Sequence, residues 1–353
     1  MARAFFCIAD REERGLGRGA FPLQSPPKTG LIVSMRILAF MNQKGGVGKT
    51  TTVVNLGALL AARHGKRVLL VDIDPQANLS DHVGLDPFSL ERSVYDVLMR
   101  GAPPGEVVRQ AFGMDVLPAS LDLAGAEVEL AGLVARETRL RVALGDFCEA
   151  YEYVLVDCPP SLGLLTVSAL CLAGEVIVPM QAEYLAMRGL GQLVRTVKLV
   201  QKTLNPALHV SGILFCLYSG QTRLAQEVWE EVAAHFPGAV FETVIRRNVR
   251  LAESPSHGQP ALYYDPHCPG MEDYAALTGE FLRRSGETVP GEAPSEREAP
   301  APAAEAPARP EEERPVEPPA RLPSGPGPDA GEATGRGEAA ADVMAETKRG
   351  SDP

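Results

Sequence analysis

Apolar residues gather along the chain in seven runs, at 36–41, 67–72, 114–117, 153–157, 175–179, 210–215 and 240–245. Several of these runs are continuous rather than alternating, the pattern of strands covered on both faces. Between them, apolar positions recur at helical spacing over 50–63, 93–99, 121–135, 139–150, 164–172, 184–204 and 222–235, and a last helix is expected over 271–284. Strands alternating with helices predict an α/β fold, a mostly parallel twisted sheet flanked by helices on both faces. Ligands bind such a sheet outside the carboxyl ends of its strands, so chemistry is sought where apolar runs stop.

The first run stops at Lys44-Gly45-Gly46-Val47-Gly48-Lys49-Thr50-Thr51, directly before a helical pattern. Strand, glycine loop, helix is the order of a phosphate site of the P-loop NTPase type. Residues without a Cβ let the chain curl closely around a polyphosphate with its N–H groups pointing inward, and the helix adds the free amides of its first turn. In this pattern Lys49 places a charge at the β- and γ-phosphates and the Thr50 hydroxyl is a ligand for Mg²⁺. Gln43 stands where the common pattern has Gly, and a second lysine, Lys44, leads the loop, which makes this the deviant Walker A form.

Two further runs end in carboxylates. One leads into Asp72-Ile73-Asp74-Pro75-Gln76 and another into Asp157-Cys158-Pro159-Pro160-Ser161. A strand-end aspartate taken singly is as readily a helix cap as a metal ligand. Behind a P-loop, Asp157 is read as the Mg²⁺-associated acid, directly or through water, because burial disfavours its charge unless a cation is near. Asp74, farther from its strand, is the candidate for orienting the attacking water, and Asp72 a structural or metal-shell residue.

Composition divides the 353 residues unevenly. Residues 285–353 hold 13 of the 30 prolines, with 15 acidic against 7 basic side chains, most of the chain's net charge of −11. That segment is expected to be a disordered acidic tail. Residues 1–34 are irregular and are expected to be a flexible extension or a start-site artefact, Met35 being the natural start, which leaves 35–284 as one ATPase domain. No run of 18 apolar residues occurs, so no membrane span is predicted. Six dispersed cysteines without a C-x-x-C pair fit reduced, mostly buried thiols in a cytosol.

The loop 44–51, Asp72-Ile73-Asp74-Pro75-Gln76, Asp157-Cys158-Pro159-Pro160-Ser161 and the stretch from Arg247-Asn248-Val249-Arg250 to Pro255-Ser256-His257-Gly258 together resemble the ParA/Soj chromosome- or plasmid-partitioning ATPases, across essentially all of 35–284. The resemblance implies an ATP-dependent sandwich homodimer in which Lys44 of each subunit reaches the phosphates bound by the other. It agrees with the second loop lysine, whose charge would act across an interface as an arginine finger does. The resemblance further implies ATP and Mg²⁺ as cofactors, Asp74 as the hydrolysis residue, non-specific binding of double-stranded DNA by the ATP dimer, stimulation by a ParB-type centromere-binding protein, and a cytoplasmic, nucleoid-associated location.

Arg223 opens a helix, and Arg246, Arg247 and Arg250 cluster after the last strand-like run. By composition this is a short basic patch, more often a solvated face than a nucleic-acid site. The resemblance assigns Arg223 and Arg250 to DNA, with Arg247 in the same cluster. Arg246 stands where the family usually has Pro near the nucleotide base, and either base contacts are altered or the DNA patch gains a charge.

Three other readings compete. A MinD-like membrane ATPase requires a basic amphipathic C-terminal helix, which an acidic Pro-rich tail is not. An iron–sulfur relative requires paired exposed cysteines. A metabolic, ligase-type member of the superfamily requires a small-substrate pocket and no DNA affinity.

Overall fold

The computed structural model describes residues 35–220 and 222–287. Its strands are β1 (Arg36–Phe40), β2 (Val68–Asp72), β3 (Arg109–Ala111), β4 (Met114–Leu117), β5 (Tyr153–Asp157), β6 (Glu175–Met180), β7 (His209–Tyr218) and β8 (Ile245–Arg246). They form one sheet in the order β3-β4-β2-β5-β1-β6-β7-β8, parallel throughout except for the antiparallel β3–β4 edge. The helices are α1 (Lys49–His64), α2 (Asn78–His82), α3 (Pro104–Val107), α4 (Leu123–Ala131), α5 (Arg139–Cys148), α6 (Leu164–Leu172), α7 (Ala186–Thr203), α8 (Arg223–His235), α9 (Val249–Glu253), α10 (Ala261–Tyr264) and α11 (Pro269–Arg284).

The continuous apolar runs have a direct structural cause. Successive side chains of a strand point to opposite faces, and here both faces are buried. Ile37 and Ala39 of β1, with Leu69, Val71, Val154 and Val156, belong to a core completed by α4 to α8. Leu38 and Phe40, with Leu70 and Leu155, belong to a second core under α1 and α11, where Leu56, Leu59, Tyr274 and Phe281 pack. The α/β expectation therefore holds.

Three elements differ from expectation. The run 240–245 is not one strand: Val240 makes an isolated bridge to Ile213, and pairing resumes only at Ile245 and Arg246. The helical pattern 93–99 becomes a one-turn π-helix at Asp96–Arg100, ended by Gly101 at φ +71. The pattern 121–135 is shortened to α4, and two one-sided residues of a helical pattern at its end, Leu133 and Val134, lie exposed. β3 and the short helices α2, α9 and α10 were too brief for periodicity to show.

The described chain continues past α11 to Glu287, whose carboxylate pairs with Lys66 Nζ at 2.6 Å and accepts a hydrogen bond from the Tyr153 hydroxyl. The rest of the expected acidic tail and the expected extension 1–34 lie outside the described residues. Among the described residues no helix is long and apolar enough to cross a membrane. Five cysteines, Cys148, Cys158, Cys171, Cys216 and Cys268, are free and buried; the sixth, Cys7, lies outside the described residues.

Candidate active site

Three adjacent strands deliver the candidate residues to one place. In the parallel register Asp157 lies level with Phe40 of β1 and with Asp72 of β2, so both carboxylates reach the carboxyl edge beside the glycine loop that follows β1. A pocket of about 430 Å³ opens there, lined by Gly45, Gly46, Gly48, Lys49, Thr50 and Thr51 of the loop and by Asp74, Gln76, Asn78, His82, Pro160 and Pro255.

The loop is shaped at Gly48, the residue before α1, which has φ +92. A Cβ there would also lie 3.3 Å from the Cβ of Cys216. Gly48→Ala is therefore expected to cost about 1–2 kcal/mol of stability. The displacement falls on the loop itself, so calorimetric titration of ATP into the variant should show binding weakened at least about tenfold, about 1.4 kcal/mol. Behind the loop, the Thr52 hydroxyl donates to the Gly48 carbonyl at 2.7 Å and meets the Tyr274 hydroxyl of α11 at 3.1 Å, both side chains being buried.

The two strand-end aspartates differ in what satisfies them. Asp72 accepts from the Asp74 N–H at 3.1 Å, the Ser80 N–H at 2.9 Å and the Ser80 hydroxyl at 2.8 Å. Burial outweighs these bonds and pushes its carboxyl up to about 7. Among the described residues Asp157 accepts one bond, from the Thr50 hydroxyl at 2.6 Å, and its Oδ1 is buried without a partner. Burial, then the neighbouring Asp72, holds this carboxyl well above the usual carboxylate range; Thr50 and Lys49 act in the opposite sense. A buried oxygen with no partner is costly unless a cation completes it. Asp157 and Thr50 thus offer the hard oxygen donors that Mg²⁺ takes, whereas Asp72 is already engaged in holding its loop.

Asp74 is 4 % exposed and faces the pocket; its Oδ1 accepts from the Gln76 N–H at 3.0 Å, and its carbonyl accepts from the Ala77 N–H at 2.8 Å. Ala77 is held at φ +52, a conformation that costs a non-glycine residue about 1–2 kcal/mol. The Asp74 loop is therefore a bent segment held by its own hydrogen bonds.

The two lysines occupy different environments. Lys49 is buried and lines the pocket. Lys44 is half-exposed at the rim, where its Nζ donates to Glu183 Oε2 at 2.7 Å and to Gln181 Oε1 at 2.8 Å. Gln181 in turn donates to the Gly46 carbonyl at 3.2 Å. Sequence reasoning passed over Gln181 and Glu183, which follow β6 with no motif of their own; their position at a strand's carboxyl end was the available signal.

The opposite wall is made by the stretch after β8. The Asn55 side chain of α1 accepts from the Ala261 N–H at 2.9 Å, and Gly258, at φ +62, packs so closely on Gly84 that a Cβ would come within 3.0 Å of its Cα. His82 of α2 lies 3.3 Å from the Ser254 hydroxyl, and burial pushes its imidazole down to about 4. Between pH 6.5 and 4 the unfolded chain takes up a proton at this ring that the folded chain does not. Stability should thus fall as pH falls through that window, by about 3 kcal/mol in all, with no contribution above it. Urea midpoints of the protein and of His82→Asn at pH 7 and 4.5 check this: the drop between the two pH values should be smaller in the variant.

The arginines proposed for DNA all reach the same edge, after β7 and β8, but most are neutralised in place. Arg223 pairs with Glu227 at 3.0 Å, and Arg250 with Glu253 at 2.9 Å and Asp265 at 3.3 Å. Arg247 is exposed, with no ion pair among the described residues. Arg246 pairs with Asp273 at 2.7 Å and Glu272 at 3.6 Å, so its extra charge is matched by α11 and adds little to a cationic patch.

A family model described as an AAA domain matches residues 35–210. The sporulation initiation inhibitor protein Soj of Bacillus subtilis is 49 % identical over 247 residues, 69 % of this chain and 97 % of that protein. The chromosome partitioning protein ParA of Caulobacter vibrioides is 46 % identical over 254 residues, 71 % of this chain and 95 % of that one. Among solved structures, the cobyrinic acid a,c-diamide synthase of Mycobacterium smegmatis, with bound ATP analog and magnesium, superposes with a TM-score of 0.61 at 40 % identity, covering 73 % of this chain and 99 % of its own.

Proposed function

Because the chain belongs to the Soj/ParA family of chromosome-partitioning ATPases, we propose that it works as an ATP-timed switch, dimerising on ATP, holding duplex DNA without sequence preference, and letting go when a ParB-type partner stimulates hydrolysis. It is an ATPase using ATP and Mg²⁺. The pocket's own residues fit both: glycine-loop amides and Lys49 for the phosphates, and Asp157 with Thr50 for the metal. Held by Asp157 and Thr50, the ion would supply neutralisation of phosphate charge.

The remaining steps belong to side chains of this chain. Lys49 holds the phosphates from below, Asp74 orients the attacking water and accepts its proton, and Lys44 stabilises charge on the transferred phosphoryl group. One observation carries the two-subunit reading: Lys44 does not line its own pocket, but stands half-exposed at the rim, free to exchange Glu183 for a phosphate across an interface. Two subunits then double the DNA-facing surface, so DNA affinity follows dimerisation and hence ATP.

The second reading comes from the Mycobacterium smegmatis relative, named as a diamide synthase. It makes this chain a small-acid ligase. Steady-state ATP turnover separates the two. The partition reading expects stimulation by a DNA-bound ParB-type partner and none by cobyrinic acid with ammonia; the reverse result selects the ligase.

A further inference from the structure

α7 is an 18-residue helix with four basic residues, Arg188, Arg195, Lys198 and Lys202, and no acidic one. Its inward face is apolar, with Met187, Leu190, Leu193, Val194, Val197 and Val200 buried. All four cations are exposed. Arg188, Arg195 and Lys202 are spaced by seven residues, so they fall on one stripe, about 10 Å apart and about 20 Å long in total. Gln192 lies between them on the same side, and Lys198 flanks it.

The contrast with the other arginines decides what this stripe is for. Arg223, Arg246 and Arg250 each have a carboxylate within 3.3 Å. Arg188, Arg195 and Lys202 have no ion pair among the described residues. Two elements packed against α7, α6 and β7, contain no acidic residue either. Three cations thus stand on one stripe without an ion pair among the described residues, in a chain whose net charge is −11. Such a field attracts polyanions and repels basic peptides.

We infer that the outward face of α7 is a docking surface for the phosphate backbone of duplex DNA, separate from the arginines at the ends of β7 and β8. The inference rests on the DNA reading proposed above. Charge density favours this occupant. Duplex DNA carries about one charge per 1.7 Å of axis, so a 20 Å stripe meets about twelve phosphates, more than enough for every cation. The acidic segment 285–353 spreads a net −8 over 69 residues and offers far fewer charges per length. The cations of the stripe suit phosphate oxygens, and contacts of that kind position a duplex without reading its sequence.

The test measures binding of the full chain with ATP to random-sequence duplexes across a salt series. The proteins are wild type, Arg195→Glu/Lys202→Glu, Arg195→Ala/Lys202→Ala and Arg223→Ala/Arg250→Ala. Exposed helix positions tolerate such changes within about 0.5 kcal/mol, and thermal midpoints with ATP-dependent dimer mass monitor that each variant folds. The α7 alanine variant should lose at least about tenfold in affinity, equally on every sequence, with the slope of log K against log salt reduced by about 2 for each α7 engaged. The glutamate variant should lose more. Wild-type slope and affinity in both α7 variants, with binding lost only in Arg223→Ala/Arg250→Ala, would overturn the inference and leave the DNA reading standing. Absence of wild-type DNA binding in any nucleotide state would overturn both. Loss of binding to a synthetic 285–353 peptide in the α7 variants, with DNA binding intact, would assign the stripe to that segment instead.

Discussion

Lys44→Ala should lower partner-stimulated ATP turnover by about 10³-fold, the low end of what a finger residue contributes to phosphoryl transfer. The fold should not suffer. The ion pair that Lys44 loses, to Glu183, has both side chains half-exposed, and surface pairs of this kind contribute less than about 1 kcal/mol. Glu183, once released, remains hydrated. The variant should bind ATP through the intact glycine loop and Lys49, yet stay monomeric by light scattering. A variant that dimerises on ATP and turns over at the wild-type rate would remove Lys44 from the mechanism and with it the two-subunit site.

Asp74→Ala should act at a different step. Loss of a residue that positions water and takes its proton costs about 10²–10⁴-fold in the chemical step. Nucleotide binding should survive, for an electrostatic reason. The Asp74 charge raises the carboxyl of Asp157 and that of Asp72, so its removal makes both easier to ionise beside the phosphate loop. The structural cost is one hydrogen bond, from the Gln76 N–H, about 1 kcal/mol. The expected product is an ATP-bound dimer that persists on DNA. Native mass measurement after incubation with ATP and DNA, alongside phosphate release, reads both parts. Rapid loss of ATP from this variant would assign Asp74 to binding rather than hydrolysis.

The two variants are informative together because they stop the proposed cycle on opposite sides of dimerisation. Lys44→Ala should fail to bind DNA and Asp74→Ala should fail to leave it. Arg246 marks where sequence reasoning was left with two options. The structure bears on one of them: Asp273 and Glu272 take up the charge, so a stronger DNA patch does not follow from Arg246.

Much of this protein was determined by local sequence. Unbroken apolar runs implied strands buried on both faces, and the two cores under β1 and β5 are that implication realised. Gly48 had to be glycine wherever the loop turned, since a positive φ belongs to its own backbone. Asp72, Asp74 and Asp157 were legible because polar residues at the ends of buried strands face the one edge where ligands bind. Tertiary structure decided what depends on neighbours distant in the chain. It decided which aspartate is left with an unpartnered oxygen, because among the described residues Ser80 satisfies Asp72 and only Thr50 reaches Asp157. It placed Lys44 against Glu183, 139 residues away. It also separated matched from unmatched cations, pairing Arg250 with Asp265 while leaving α7 between two elements without acids. Strand identity and loop shape follow from a residue's own backbone and alternation; charge balance follows from which side chains the fold brings within a few ångströms.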